Sequence, residues 1–274
     1  MCEPVLSAWD DAVQAPLVVP GKPRNNGLTM IIDKGLGPVQ FNDLLMIGSE
    51  HIDLIKLAFG TSLVYPCGVL ESKIALACSY GIDIYPGGTL LEVAVMQGKA
   101  QKTLDRLCQL GFTAVEISEG TIQLDSMMRR NLIITAKERG LRVLSEVGKK
   151  DKSIRLTASQ VHEQVASDID AGSELVIVEG RDSGMGVGVY DEIGQTNDTL
   201  VADILAGVTD ANKLMWEAPR SYQQQYWIKR IGNHVNLGNV QPEDVITLAA
   251  SRAALRGDTL YDVYKRSFSQ IISD

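Results

Sequence analysis

The sequence has few cysteines and histidines, and neither set is arranged for metal binding, thiol exchange or hydrolysis. Its four cysteines, Cys2, Cys67, Cys78 and Cys108, are far apart and form no CxxC pair, so no zinc knuckle or redox motif is indicated and we expect reduced thiols. The three histidines are isolated, and no GxSxG elbow occurs. A serine-type catalytic triad therefore has little support.

Positive charge and long apolar runs are also scarce. The formal net charge is −8 and the sequence pI is about 5.0, which argues against nucleic acid or an anionic membrane as the main partner. A small anionic substrate is compatible with this charge, because local lysines and backbone amides can bind it. No stretch approaches about 18 apolar residues, and Glu3, Asp10 and Asp11 stand where a signal peptide needs positive charge. We therefore expect a cytoplasmic protein.

Strand and helix patterns alternate along the chain after a proline-containing lead-in. Residues 1–26 contain four prolines and no sustained period, so we interpret them as an irregular N-terminal arm. One helical pattern, over residues 90–110, predicts either a long helix or a broken one. Strands are predicted at residues 28–33, 52–57, 82–85, 114–118, 141–147, 175–179, 213–217 and 235–237.

The count of these units indicates the fold. Alternating strands and helices imply a parallel sheet with right-handed crossovers, and eight units in about 250 residues suit a closed (β/α)8 TIM barrel. We predict a single α/β barrel domain over residues 27–260 and a C-terminal extension over residues 261–274. The competing open doubly wound sheet lacks a GxGxxG motif after the first strand. Because the outer helices and the extension offer surface for self-association, we also predict a homo-oligomer.

Charged residues cluster where the predicted strands end. Both faces of a strand in such a barrel are buried, so polar groups collect at the carboxyl ends, where barrel enzymes have their active sites. For each residue the alternative is a structural ion pair. Several carboxylates facing one cavity need lysines or a divalent cation, and hard oxygen ligands suit Mg²⁺. The strand-end residues are Asp33, Lys34, Lys56, Glu116, Glu119, Glu146, Lys149, Lys150, Glu179, Arg181 and Glu217, and the candidate metal ligands are Glu116, Glu146 and Glu179.

Two glycine-containing loops are candidates for phosphate binding. Backbone N–H groups at tight turns and helix starts bind phosphate without requiring a basic protein. Gly87 and Gly88 follow the third predicted strand, and Gly238 and Asn239 follow the eighth. The loops after strands seven and eight recur as the phosphate site of this fold, which favours the second pair. The alternative for either pair is an ordinary turn or helix cap.

Nine segments in order resemble the phosphosulfolactate synthase family, and they span residues 27–260. The resemblance implies a barrel enzyme of the carbon–sulfur lyase class that adds sulfite to phosphoenolpyruvate, with Mg²⁺, to give (2R)-3-phosphosulfolactate. It also implies a role in sulfonate biosynthesis, with the product feeding coenzyme M synthesis in some organisms. The segments are GLTMIIDKGLG, IDLIKLAFGTS, YPGGTL, AVEISEGTI, LSEVGKK, VIVEGRDSGMGVG, WEAP, NLGNV and LRGDTL.

Site residues follow from the segments that match the family pattern and from the strand ends. Sulfite addition to C3 leaves C2 in need of a proton, which a lysine can supply; Lys150 is our first choice and Lys149 our second. Three segments depart from the family pattern: Ala58-Phe59, where the family often has GWG; Glu119, where Asp is frequent; and Arg220-Ser-Tyr222, which varies the segment after EAP. The predicted catalytic residues are Lys150, Lys149 and Lys34, and the predicted substrate-binding residues are Asp33, Lys56, Gly87, Gly88, Arg181, Gly238 and Asn239.

Two other functions are consistent with the same segments. One is a non-catalytic, stress-associated protein on the same barrel; the presence of Asp33-Lys34-Gly35 favours an enzyme, since the plant relative of this kind lacks that segment. The other is an enol-phosphate lyase that uses a different nucleophile. A substrate screen separates these alternatives from sulfite addition.

Overall fold

The computed structural model describes residues 9, 12–151 and 153–271, and eight strands alternate with helices along them. The strands are β1 (Thr29–Asp33), β2 (Leu54–Leu57), β3 (Asp83–Pro86), β4 (Ala114–Ile117), β5 (Arg142–Val147), β6 (Leu175–Val178), β7 (Leu214–Glu217) and β8 (Leu237–Val240). The α-helices are α1 (Pro38–Gly48), α2 (Val69–Ser79), α3 (Thr89–Met96), α4 (Ala100–Leu110), α5 (Ser126–Glu138), α6 (Ala158–Ala171), α7 (Asp198–Gly207), α8 (Ser221–Ile231), α9 (Val245–Arg252) and α10 (Gly257–Ile271). Short 3-10 helices cover Ser49–His51, Thr61–Leu63, Ala211–Lys213 and Pro242–Asp244.

The strands form one parallel sheet that curls into a nearly closed barrel. Their order is β3-β2-β1-β8-β7-β6-β5-β4. The remaining seam, between β3 and β4, is bridged at its amino-terminal end, where the Thr113 N–H donates to Ile84 O over 3.3 Å and the Ile84 N–H donates to Thr113 Oγ1 over 3.0 Å. The predicted (β/α)8 barrel is therefore confirmed, and the open doubly wound sheet is wrong.

Strand alternation divides the buried apolar residues into two layers. One set packs between the strands and the surrounding helices, as Ile31 and Val115 do. A smaller set, which includes Met30, Tyr85 and Leu144, forms a separate cluster that fills the barrel interior. Side chains two residues further along a strand point in the same direction. The next inward layer, towards the carboxyl ends, is where the charged residues lie.

The eighth strand differs from its prediction. It was predicted at residues 235–237 and followed by a Gly238-Asn239 loop, but β8 covers Leu237–Val240, so both residues lie in the strand. Gly238 faces the barrel interior, where a Cβ would lie 2.8 Å from Met30 Cε and 3.4 Å from Met215 Cγ. Tight packing inside the barrel therefore accounts for this glycine. The apolar pattern ended at residue 237 and so did not predict the last three residues of the strand.

The long helical pattern and the chain ends add three details. Residues 90–110 form two helices, α3 and α4, separated at Gly98, whose φ is +65°. In the described part of the arm, Lys22 Nζ donates to Ile52 O over 2.8 Å and Arg24 pairs with Asp53 at 2.8 Å, which fastens the arm near the amino-terminal end of β2.

The predicted boundary at residue 260 falls within α10, and the domain division stays a prediction. Within the described residues, no helix has the length and apolar character needed to cross a membrane.

Candidate active site

A cavity of about 190 Å³ opens at the carboxyl ends of the strands. This volume suits a small metabolite, since drug-sized ligands usually occupy roughly 300 to 1,000 Å³. The location agrees with the general position of active sites in this fold. The predicted site residues that line it are Lys56, Gly87, Gly88, Glu116, Glu146, Lys150, Glu179, Arg181 and Asn239.

Lys56 occupies the centre of a buried layer of carboxylates. Its Nζ lies 2.9 Å from Glu116 Oε2, 3.1 Å from Glu217 Oε1 and 3.6 Å from Glu146 Oε2. Burial alone would lower the pKa of Lys56, but the charges of Glu116, Glu217 and Glu146 outweigh it and raise this pKa well above its ordinary value. Lys56 is therefore a fixed positive charge that keeps several carboxylates in one small space, and it is too protonated to act as a base.

Two of the carboxylates are held by backbone amides as well as by Lys56. Glu116 Oε1 accepts the Gly88 N–H over 2.8 Å, which closes the β3–β4 seam at its carboxyl end. Glu217 Oε2 accepts the Gly180 N–H over 2.9 Å. Burial, the largest influence, raises the pKa of Glu116 despite the opposing charge of Lys56. Each of these two carboxylates is thus held by Lys56 and by one backbone amide.

Three carboxylates could hold a divalent cation. Glu146, Glu179 and Glu217 each offer one oxygen, and these oxygens lie within 4.8 Å of one another. Within the described part of the chain, both oxygens of Glu146 and the Oε2 atom of Glu179 are buried without a hydrogen bond. Unpaired buried oxygens of this kind suit the oxygen-only coordination of Mg²⁺. Glu217, and not Glu116, shares this group with Glu146 and Glu179, so the mutual distances favour Glu217 as the third member of the predicted ligand set.

Charge balance in this layer also favours a cation. Burial, followed by the neighbouring charges of Glu146 and Glu217, raises the pKa of Glu179 well above its ordinary value. The cavity is lined by five carboxylates, those of the four glutamates and of Asp182, and by three cationic side chains, Lys56, Lys150 and Arg181. Two negative charges are therefore left over, and either one bound divalent cation or protonation of two carboxylates, Glu179 among them, neutralises them.

The two lysines after β5 diverge. Lys149 Nζ donates to Glu119 O over 2.7 Å and pairs with Glu119 Oε1 at 3.1 Å, outside the cavity. Lys150 lines the cavity, and its ammonium makes no hydrogen bond to any described residue. Burial lowers the pKa of Lys150, but the negative charges of Glu146 and Glu179 together raise it by more, so the net shift is upward. Lys150 is therefore a protonated, half-buried group that faces the cavity.

Arg181 and Asn239 line the cavity from backbone conformations that few side-chain-bearing residues adopt. Their φ angles are +60° and +51°, and such conformations cost about 1 to 3 kcal/mol each and concentrate at functional sites. The Arg181 N–H donates to Glu179 Oε1 over 2.6 Å, while its guanidinium has no ion-pair partner among the residues described. Asn239 is 2% exposed, and its Oδ1 has no hydrogen-bond partner in the described chain. Both side chains can therefore bind a polar ligand.

The predicted glycine pair after β3 is required by close packing. A Cβ on Gly88 would collide with Ser118 Oγ and lie 2.8 Å from Glu116 Oε1, and one on Gly87 would lie 2.7 Å from the Phe59 nitrogen. The Gly88 N–H is already donated to Glu116. Phosphate binding at this turn stays a prediction, since the Gly88 amide has a protein partner.

Other predicted residues lie outside the cavity. Asp33 points away from the barrel interior: its Oδ1 accepts the N–H groups of Gly35 and Leu36 over 2.8 and 2.7 Å, and its Oδ2 pairs with the buried Lys73 of α2. Lys34 lies at the rim and pairs with Asp182 at 3.2 Å. Gly238 packs in the barrel interior, as described above, and does not line the cavity.

Sequence reasoning assigned no role to two further cavity residues. Asp182 follows Arg181 in the loop after β6, and Phe59 lies at the rim with a φ of +56° and 45% exposure. Phe59 belongs to the Ala58-Phe59 segment, which departs from the family pattern, and that departure was the sequence feature that could have pointed to it. Asp182 carried no comparable signal, because its approach to Lys34 depends on how two distant loops fold.

Comparison with known proteins identifies relatives over most of the chain. A model of the (2R)-phospho-3-sulfolactate synthase (ComA) family matches residues 18–258. A phosphosulfolactate synthase of Methanocaldococcus jannaschii is 43% identical over 235 residues, which cover 85% of this chain and 93% of that protein. A phosphosulfolactate synthase of Methanothermobacter thermautotrophicus is 40% identical over 245 residues, covering 88% and 93%.

Solved structures agree on the architecture. The 3-hexulose-6-phosphate synthase of Salmonella typhimurium superposes with a TM-score of 0.53 and 16% identity, covering 87% of this chain and 99% of that one. At this identity the likeness concerns the fold alone, and the arrangement of a site on that fold has to be argued from its own residues.

Proposed function

The chain belongs to the (2R)-phospho-3-sulfolactate synthase family, and from this premise we propose that it adds sulfite to C3 of phosphoenolpyruvate with the help of Mg²⁺. The observation that carries the proposal is the cavity itself, in which the Lys150 ammonium, without a hydrogen bond to any described residue, faces a layer of buried carboxylates. The reactants are small anions, so the acidic chain needs local positive groups to hold them. Lys150 and Arg181 are such groups.

The residues divide the chemistry between binding and proton transfer. Sulfur of sulfite forms a bond to C3, the electron pair of the C2=C3 bond moves towards C2 and the carboxylate, and C2 then takes a proton; the phosphate ester stays intact. Lys150 Nζ supplies that proton, since a lysine is ordinarily protonated at neutral pH. No covalent bond to the protein is needed.

Binding uses cavity groups that have no partner among the residues the structure describes. The guanidinium of Arg181 offers a planar pair of donors to an anionic oxygen of the substrate. Asn239 offers its side-chain amide at an almost fully buried position, so little water competes with a bound ligand for it. Lys56, fully engaged by three glutamates, keeps these carboxylates in place. In the proposal Lys56 therefore holds the buried carboxylates together. The sequence had predicted that it contacts the substrate.

The carboxylates of Glu146, Glu179 and Glu217 would hold Mg²⁺, which would stabilise the negative charge that develops on the substrate carboxylate. Replacement of Glu217 with Gln should weaken Mg²⁺ binding by at least about tenfold, because even loss of an outer-shell partner costs about 10- to 100-fold. Isothermal titration of the purified protein measures this affinity without substrate. Glu116→Gln is the matched comparison, and a larger loss in that variant would restore the ligand set predicted from the sequence.

A direct assay tests the reaction. With phosphoenolpyruvate, sulfite and Mg²⁺, the protein should consume the ultraviolet absorbance of the enol phosphate and release no inorganic phosphate. Parallel reactions with other nucleophiles, such as thiols and amines, test the alternative enol-phosphate chemistry. If no nucleophile and no divalent metal gives turnover, the non-catalytic alternative is favoured and the proposal fails.

A further inference from the structure

The loop between β4 and α5 is organised by one buried side chain of α3. Glu92 is 3% exposed, and both of its oxygens accept hydrogen bonds from residues 118–122. Its Oε1 accepts the Ser118 hydroxyl over 2.6 Å and the Gly120 N–H over 3.1 Å. Its Oε2 accepts the N–H groups of Thr121 and Ile122, both over 3.0 Å. A single carboxylate therefore fixes four donors of this loop.

These donors also keep Glu92 ionised. Burial raises the pKa of a carboxyl group, but the bonds from Ser118 and from the Ile122 amide, with the charge of Lys150, give Glu92 a pKa below its ordinary value. An uncharged side chain could not replace it, because an amide has only one oxygen for four donors and would direct its own N–H groups at two of them.

The loop held by Glu92 is in direct contact with Lys150. The Gly120 carbonyl accepts the Lys150 N–H over 3.0 Å. The aliphatic stem of Lys150 runs along the Gly120 backbone so closely that a Cβ there would lie 2.9, 3.1 and 3.2 Å from its Cε, Cδ and Cγ. Gly120 thus sets the path of the stem, and the end of that path is the ammonium in the cavity.

The same loop is fixed from its other side by Lys149. The Lys149 ammonium donates to Glu119 O over 2.7 Å and to Ile122 O over 3.3 Å. The two contacts differ in their targets: Lys149 holds carbonyl groups on the outer side of the loop, whereas Glu92 holds the amide of Gly120 itself. Of the two, only Glu92 bonds to the residue against which Lys150 lies.

We propose that Glu92 is a positioning residue for Lys150: it fixes Gly120, and Gly120 fixes the path of the lysine stem and so the place of the ammonium. The inference rests on the proposed role of Lys150 as proton donor to C2. Small displacements of a reacting group are costly in such a role, where about 1 Å can lower the rate by 10²-fold.

The test is a double-mutant cycle measured by kcat and KM for phosphoenolpyruvate. Glu92→Gln should lower kcat by about 10- to 10²-fold and leave KM within a few fold, because binding is retained while proton transfer is impaired. In a Lys150→Ala background the same substitution should have no further effect on kcat. If the effects of the two substitutions multiply, Glu92 acts independently of Lys150 and the inference is wrong.

Gly120→Ala is a second variant that changes the lysine path with little risk to folding. Its φ is not in the left-handed region, and the added methyl group meets the flexible end of Lys150. Gly120→Ala should lower kcat as Glu92→Gln does. In the Lys150→Ala background it should have no further effect on kcat. Gly60→Ala, in the loop after β2 where a Cβ meets nothing within 4 Å, is the matched control and should retain wild-type kcat.

A readout that needs no turnover separates this inference from the proposed function. Labelling of Lys150 by trinitrobenzenesulfonate, followed by peptide mass spectrometry, should rise several-fold in Glu92→Gln and Gly120→Ala as the amine leaves its carboxylate neighbours, and stay unchanged in Gly60→Ala. Unchanged labelling in the first two variants overturns the positioning role, whether or not the protein is active. Wild-type kcat in Lys150→Ala overturns the proton-donor role alone.

Discussion

Two adjacent lysines after β5 show how single side chains divide the work at this site. Lys150 faces the cavity and Lys149 holds Glu119. We expect Lys150→Ala to lower kcat by about 10² to 10⁴-fold, with KM for phosphoenolpyruvate within a few fold, because a proton donor acts in the transition state. Lys149→Ala should chiefly lower the Tm, since it releases the loop that Lys149 fixes.

Steady-state kinetics and thermal unfolding of the two variants measure these effects. Lys137→Ala, at an exposed position on α5, is the control for loss of a surface lysine. The opposite result, with Lys149→Ala inactive and Lys150→Ala near normal, would show that Lys149 is the proton donor. A rise in KM alone in Lys150→Ala would make it an anchoring group.

Glu179 gives the stability of the metal-free protein a pH dependence. Its pKa in the folded state is raised above the ordinary value of 4.5, first by burial and then by Glu146 and Glu217. The folded state therefore binds more protons than the unfolded state above this pH, so stability falls as pH rises from about 4.5 through the raised pKa. Glu179→Gln should remove this loss and stabilise the protein at pH 8 more than at pH 4.

Urea unfolding in EDTA at the two pH values checks the sign. Glu138→Gln, at an exposed position on α5, serves as the control and should change neither value. If Glu179→Gln lowers stability equally at both pH values, the carboxylate makes a favourable contact in the folded state and its pKa is not the cause.

At the scale of elements, a buried ion pair joins α2 to the loop that follows β1. Lys73 of α2 is 2% exposed, pairs with Asp33, donates to Leu36 O over 2.8 Å and lies over the Phe41 ring at 4.6 Å. Lys73→Met should lower the free energy of unfolding by about 3 to 5 kcal/mol, because it leaves the Asp33 carboxylate buried without its partner.

Denaturant unfolding of this variant, beside Lys137→Met as a surface control, measures that loss. Steady-state kinetics of the same variant decide the role of Asp33, which the sequence predicted as substrate-binding. If Lys73→Met keeps wild-type stability but raises KM for phosphoenolpyruvate, Asp33 contributes to binding and the structural interpretation of the pair is wrong.

At the scale of the whole molecule, one apolar groove lies open on the outer surface. It has a volume of about 320 Å³ and lies between α2, α3 and α4, where Leu63 is 69% exposed and Val93 is 37% exposed. Exposed apolar grooves often mark interfaces, so we expect the homo-oligomer predicted from the sequence to use this surface. Light scattering should give a mass that is a multiple of 29.8 kDa, and Leu63→Lys should reduce it without lowering the Tm of the monomer. A wild-type mass of one chain would contradict the prediction.

Much of the fold was determined by local sequence. The alternation of strand and helix patterns predicted the eight-stranded barrel, because hydrophobic periodicity is set residue by residue. Seven strands lay within about two residues of their predicted bounds. The eighth was misplaced because Gly238 and Asn239 are typical of a turn, whereas packing against Met30 and Met215 keeps the glycine inside a strand.

The chemical composition of the site was also present in the sequence, while the direction of its side chains was not. Charged residues at strand ends predicted Lys56, Glu116, Glu146 and Glu179, since a barrel brings all its strand ends together. Both faces of these strands are buried and apolar, so the sequence could not tell inward from outward positions. This is why Asp33 was assigned to the cavity although it faces α2.

Only the tertiary structure decided which of the strand-end groups act together. Closure of the barrel brings Glu217 within 4.8 Å of Glu146 and Glu179, while the β3–β4 seam engages Glu116 with the Gly88 amide. The link from Glu92 through Gly120 to Lys150 joins three segments that are distant along the chain. Sequence determines which groups a local segment carries, but contacts between segments depend on register and closure, and these are properties of the assembled barrel.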